Sequence, residues 1–152
     1  MARTFIASDP RSGRTDVIVE VHPELMTGAP EADLEALKHR LHERHVDVGL
    51  LVTPAETYFI HDKLVTLEFS KETYETEQLS TEVLFRRIGG GGVAYGDGLY
   101  AQTRLWLEAM SRNWRTAVPD EALPLVLHNL VGRLAEAEID GLNELLWAEA
   151  VA

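Results

Sequence analysis

A chain of 152 residues, 45% hydrophobic and 26% charged, has the size of one domain and can bury roughly two-thirds of the surface its unfolded form exposes; its composition is neither that of a disordered segment nor that of a membrane protein. The absence of cysteine excludes disulfides, thiolate zinc sites and thiol nucleophiles. A formal net charge of −11, from 25 acidic residues against 14 Lys plus Arg, opposes non-specific binding to nucleic acid, which depends on Lys and Arg neutralising phosphates.

In chain order, residues 3–7 predict a short strand and Asp9, Pro10 and Gly13 a turn, so that a hairpin leads into residues 15–22. Neither this start nor any later stretch is apolar for the roughly 18 residues a membrane span needs, and the expectation is a cytoplasmic protein without membrane contact. Residues 15–22 are the clearest strand, β-branched through the middle and stopped by Pro23. Period-two geometry puts Val17, Val19 and Val21 on one face and Asp16, Ile18, Glu20 and His22 on the other.

Residues 31–45 carry Leu34, Leu37 and Leu41 at helical spacing, with acids near the start and bases near the end, as the helix dipole favours. The apolar run of residues 48–53 then has the length of a central strand covered on both faces. Strand, helix, strand implies a parallel pair. Residues 57–61 predict an antiparallel neighbour, residues 64–69 an added edge, and from residue 70 the character turns helical, with a helix over 81–88 that Ser80 caps.

The run Gly89 to Gly92 lacks the Gly-Lys-Ser/Thr ending of a phosphate loop and reads as a flexible connection. Leu99, Thr103, Trp106, Leu107, Met110 and Trp114 line one helical face, and Leu123, Val126, Leu127, Leu130, Val131 and Leu134 a second after Pro119. Tryptophans in such patterns pack in cores rather than stack on bases. The tail with Leu142, Leu145, Leu146 and Trp147 is apolar enough to dock on the domain or a partner, and a homodimer through the C-terminal helices follows as an expectation. The fold expected is a single α/β (α+β) domain over residues 1–152: a small mixed sheet with a β-α-β crossover in residues 1–69 and a mainly helical part in 70–152.

Asp16, three apolar residues, Glu20, a loop, a helix bearing Lys38, and an apolar strand ending in Thr53-Pro54 together resemble the PD-(D/E)XK, restriction-endonuclease-like superfamily. Within it the layout is nearest to the Uma-type bacterial restriction endonucleases. The resemblance covers residues 15–62. It implies a restriction-endonuclease-like core in which carboxylates bind Mg²⁺ and a lysine acts on the attacking water. Carried over, Glu20 takes the metal-ligand position and His22 stands where the lysine is expected; a histidine can move a proton near neutral pH but is not a constant positive charge. Lys38, on the following helix, is the candidate replacement.

Asp16 is the candidate second ligand. Four residues of strand separate its Cα from that of Glu20 by roughly 13 Å, too far for two short carboxylates to share one Mg²⁺ easily, and Asp9 is the other acid nearby. His39, His42 and His45 drift around the helix and read as a solvated face, while His61 and His128 have no partner visible in the sequence. Two functions follow from the resemblance. The first is a nuclease-like scaffold with a degenerate site, serving as a recognition or assembly module for a protein partner; the alternative is a Mg²⁺-dependent endonuclease using Glu20, Asp16 or Asp9, and His22 or Lys38.

Overall fold

A computed structural model of the protein describes residues 3–24, 30–62, 74–88 and 92–142. Among them, six strands form one mixed sheet in the order β5-β4-β3-β2-β1-β6. The expected hairpin pairs β1 (Arg3–Ser8) with β2 (Thr15–Val21) antiparallel. Asp9 holds the turn, its carboxylate accepting from the Arg11 N–H at 2.9 Å and the Ser12 hydroxyl at 3.2 Å. Helix α1 (Glu31–Glu43) carries the chain over to β3 (Val48–Val52), parallel to β2. Every residue of β3 is buried, as its unbroken apolar run requires of a strand covered on both faces.

The leucine stripe of α1 explains the crossover. Leu37 and Leu41 are fully buried with Ile18, Leu51 and Ile60, and Leu34 packs at the edge of that cluster. At Gly49 of β3 a Cβ would lie 2.8 Å from Leu41 Cδ1, so the helix sits this close to the sheet because position 49 has no side chain. Strand β4 (Glu56–Asp62) continues antiparallel to β3.

Tyr74–Ser80, expected to be helical, is the edge strand β5, antiparallel to β4. Its residues are mostly polar and carry weak local strand preference, so the free edge of β4 decides their conformation. The strand expected at residues 64–69 and most of the four-glycine run lie outside the described residues. Helix α2 (Thr81–Phe85) and a 3₁₀ turn (Arg86–Ile88) follow, and Ser80 caps the helix as expected, its Oγ accepting from the Val83 N–H at 3.4 Å. The Thr81 hydroxyl donates to the Thr53 carbonyl at 2.7 Å and receives that of Thr57 at 2.8 Å, tying the helix start to β4.

Helix α3 (Asp97–Ala117), interrupted by extended backbone at Asn113 (φ −156°, ψ 86°), buries Leu99, Thr103, Trp106, Leu107 and Met110 on the sheet face opposite α1, against Phe5, Val17, Val19 and Leu50. The second expected helix is instead two short ones, α4 (Leu123–Leu127) and α5 (Leu130–Leu134), because Asn129 adopts the left-handed region at φ 60°. The break changes which side chains turn inward. Leu125, Leu130, Val131 and Leu134 are buried, while Leu123 and Leu127 are 53% and 68% exposed.

The C-terminal part is less helical than expected, since Glu138–Leu142 forms β6 against β1. Its Gly141 leaves room for Tyr100 of α3, whose ring stacks on Phe5 at 4.4 Å. The tail beyond residue 142 lies outside the described residues, and among the described residues no helix is long and apolar enough to cross a membrane.

Candidate functional site

Strand β2 sends Glu20 and Ile18 to the α1 face, and there the structure brings together two of the four residues singled out by the sequence. Glu20, 3% exposed as a residue, has its Oε2 3.8 Å from His22 Nε2. Its other oxygen accepts a charge-assisted hydrogen bond from Nη1 of Arg40, on α1. A guanidinium therefore occupies the place where a nuclease-like reading puts a divalent cation.

Lys38 and Arg40 flank the leucine stripe on opposite sides, because at about 100° per residue one lies ahead of Leu37 and Leu41 and the other behind them. Arg40 is on the side that meets β2. Lys38 instead pairs with Glu35 on its own helix, Nζ to Oε1 3.7 Å.

Asp16 is placed elsewhere. The register between β1 and β2 shifts at Ala7/Ser8, with Ala7 opposite Val17 and Ser8 opposite Thr15, so Asp16 is the extra residue of a β-bulge. The bulge interrupts period-two alternation. Asp16 pairs with Arg14 at 3.7 Å and, with Asp9, lines an open 240 Å³ cavity to which Gly132 and Arg133 of α5 also contribute. Neither aspartate joins Glu20 in a three-ligand group among the described residues. As arranged, Glu20, His22, Lys38 and Asp16 do not fit a resident Mg²⁺, whose near-octahedral oxygen shell needs carboxylates free to face one point.

On the opposite face a different set converges, one that sequence order conceals. His61 of β4 is 2% exposed, Glu77 lies diagonally across on β5, and His128 closes the end of α4. His61 Nε2 stands 3.5 Å from Glu77 Oε1, and the rings of His61 and His128 stack with centroids 3.6 Å apart at 11°. One ligand atom from each lies within 4.8 Å of the other two. Beside them a 160 Å³ cavity is lined by Asp47, Asp62 and Arg133 among others, with Arg133 Nη2 bound to Asp47 Oδ2 at 2.6 Å.

The residue missed on the α1 face, Arg40, had a signal in the helical wheel. The set on the other face had none, since its members are far apart in sequence and Glu77 lies in a segment read as helical. His39 pairs with Glu43 at 2.9 Å and both are exposed, as a solvated face requires, but His42 of the same expected face is half-buried with its Nδ1 shielded from water. The chain matches no family model, no curated protein and no solved structure in comparisons with each.

Proposed function

We propose that the protein is a nuclease-like scaffold without catalysis, a recognition or assembly module whose acid position has become an internal ion pair. The observation that carries this reading is Arg40 bound to the buried Glu20 carboxylate. A guanidinium on that oxygen supplies the charge a metal would supply and repels a second cation. The β2-α1-β3 crossover, with Glu20 and His22 on the helix side, is the part of the fold that agrees with a PD-(D/E)XK-type ancestry; shared architecture does not carry activity with it.

The alternative, a Mg²⁺-dependent endonuclease, is favoured by His22, which stands beside Glu20 and could move a proton. Lys38 does not supply the lysine's charge there, being turned to Glu35, and the cation at Glu20 is Arg40, which binds the carboxylate itself. In the favoured reading the protein works in the cytoplasm, and a second copy is the partner of its C-terminal helices. Leu123 and Leu127, exposed one turn apart on α4, supply the apolar surface.

Two assays test this reading. Incubated with supercoiled plasmid and Mg²⁺ or Mn²⁺, the protein should leave the plasmid intact, whereas nicking that disappears in Glu20→Gln would establish the endonuclease. Sedimentation at tens of micromolar should give a dimer that Leu127→Glu dissociates, and a monomeric wild type would remove the homodimer.

A further inference from the structure

His61 presents a problem that hydrogen bonding within the fold does not solve. Its imidazole is 2% exposed, and neither Nδ1 nor Nε2 has a hydrogen-bond partner among the described residues. Leaving a buried polar atom in that condition costs about 1–3 kcal/mol, and native proteins rarely tolerate it without a ligand, an ion or a role. Around this ring the fold collects a second imidazole and a carboxylate from two further elements. We propose that His61, Glu77 and His128 bind a divalent transition-metal ion, Zn²⁺ by preference, which joins β4, edge strand β5 and the end of α4. This inference does not depend on the nuclease-like reading, since it concerns the opposite face of the sheet.

The donor set selects the metal. Two imidazoles and one carboxylate suit Zn²⁺, at about 2.0–2.2 Å from each ligand, and suit Mg²⁺ or Ca²⁺ poorly because those ions take oxygen. Tetrahedral coordination at such bond lengths separates ligand atoms by about 3.3 Å. His61 Nε2 and Glu77 Oε1 stand close to that already at 3.5 Å, while the whole set spans up to 4.8 Å. Stacked imidazoles direct their lone pairs side by side, so one ring must turn for both to face an ion. His128 is the ring free to do so, being exposed at the end of a five-residue helix, while His61 is fixed in the core.

Three protein ligands leave a fourth position, and the 160 Å³ cavity that His61 and His128 help to line provides room for it. A water molecule or a small anionic ligand fits there, within reach of the charged wall formed by Asp47 and Arg133.

The test is equilibrium dialysis of the full chain against Zn²⁺, with metal content read by mass spectrometry and thermal unfolding followed by circular dichroism. The expected result is one Zn²⁺ per chain, a raised Tm in its presence, and no competition from excess Mg²⁺. His128→Ala is the informative variant, because an exposed side chain is removed and the fold is left intact. It and Glu77→Gln should each weaken Zn²⁺ binding by more than the roughly 10- to 100-fold that loss of an outer partner costs. His39→Ala, which removes the exposed His39–Glu43 pair, should bind as the wild type does. Absence of micromolar binding would overturn the proposal, as would undiminished affinity in His128→Ala and Glu77→Gln, or loss of binding in His39→Ala.

Discussion

The Glu20 side chain keeps 4% of its surface in contact with water while Arg40 keeps 31%, so the two halves of the pair respond differently to removal. Arg40→Met strands a buried carboxylate and should destabilise the fold by an amount toward the lower end of about 3–5 kcal/mol. Glu20→Gln leaves an arginine that can turn to solvent and an amide oxygen that can still accept, and should cost only about 1 kcal/mol. Urea unfolding of the two variants measures the difference; equal losses would contradict the asymmetry. Tyr74 supplies a second prediction at this scale. Burial, with the carboxylates of Asp62 and Asp47 adding to it, pushes its phenol well above the ordinary 10.0, and its hydroxyl donates to the Val46 carbonyl at 2.7 Å. The folded state therefore keeps a proton that the unfolded chain releases near pH 10. Stability from this group is fully present below about pH 10 and falls as pH rises toward the folded value. Tyr74→Phe should be less stable at neutral pH by about 1–2 kcal/mol, yet lose less of its remaining stability between pH 9 and 11, a range chosen to straddle about pH 10. Parallel alkaline slopes in the two proteins would mean that Tyr74 does not contribute to the pH dependence.

Gly49 sets the distance between α1 and β3, because a Cβ there would meet Leu41 Cδ1 at 2.8 Å. Gly49→Ala should therefore push Leu41 off its rotamer or lift the helix, at about 1–3 kcal/mol by the usual cost of overpacking. Measured Tm values decide this, and an unchanged Tm would mean that Leu41 yields freely. The same crossover was legible in the sequence because its signals agree: β-branched residues in β2, a leucine stripe in α1, an apolar run in β3. Elements whose conformation comes from their neighbours were not legible. Strand β5 carries Glu75, Thr76, Glu77 and Gln78, a charged edge that discourages pairing with other chains but gives no local strand pattern. Strand β6 holds Glu138, Asp140 and Gly141 and forms against β1. A single left-handed residue, Asn129, divides what periodicity reads as one helix. At the site, strand alternation predicts the shared face of Glu20 and His22, but the bulge at Asp16 breaks that alternation. Arg40 and Lys38 both flank the leucine stripe, so only the docking of α1 on β2 decides which meets Glu20, and the His61, Glu77 and His128 set required the tertiary fold.

Across the whole molecule the charge of −11 and the pairing of Arg40 with Glu20 act in one direction, away from a polyphosphate substrate. The protein should show no retention on duplex DNA at about 0.15 M salt, where a Debye length near 8 Å leaves little long-range attraction to compensate. Salt-sensitive retention in a filter or gel-shift assay would contradict this. If the Glu20 carboxylate is closed by an internal cation, calorimetric titration of Mn²⁺ into wild type, Glu20→Gln and His128→Ala will show it. Mn²⁺ heat should persist unchanged in Glu20→Gln, and its specific component should be lost in His128→Ala. A binding isotherm present in wild type and His128→Ala but abolished in Glu20→Gln would contradict it, and would identify Glu20 as a metal ligand that Arg40 vacates.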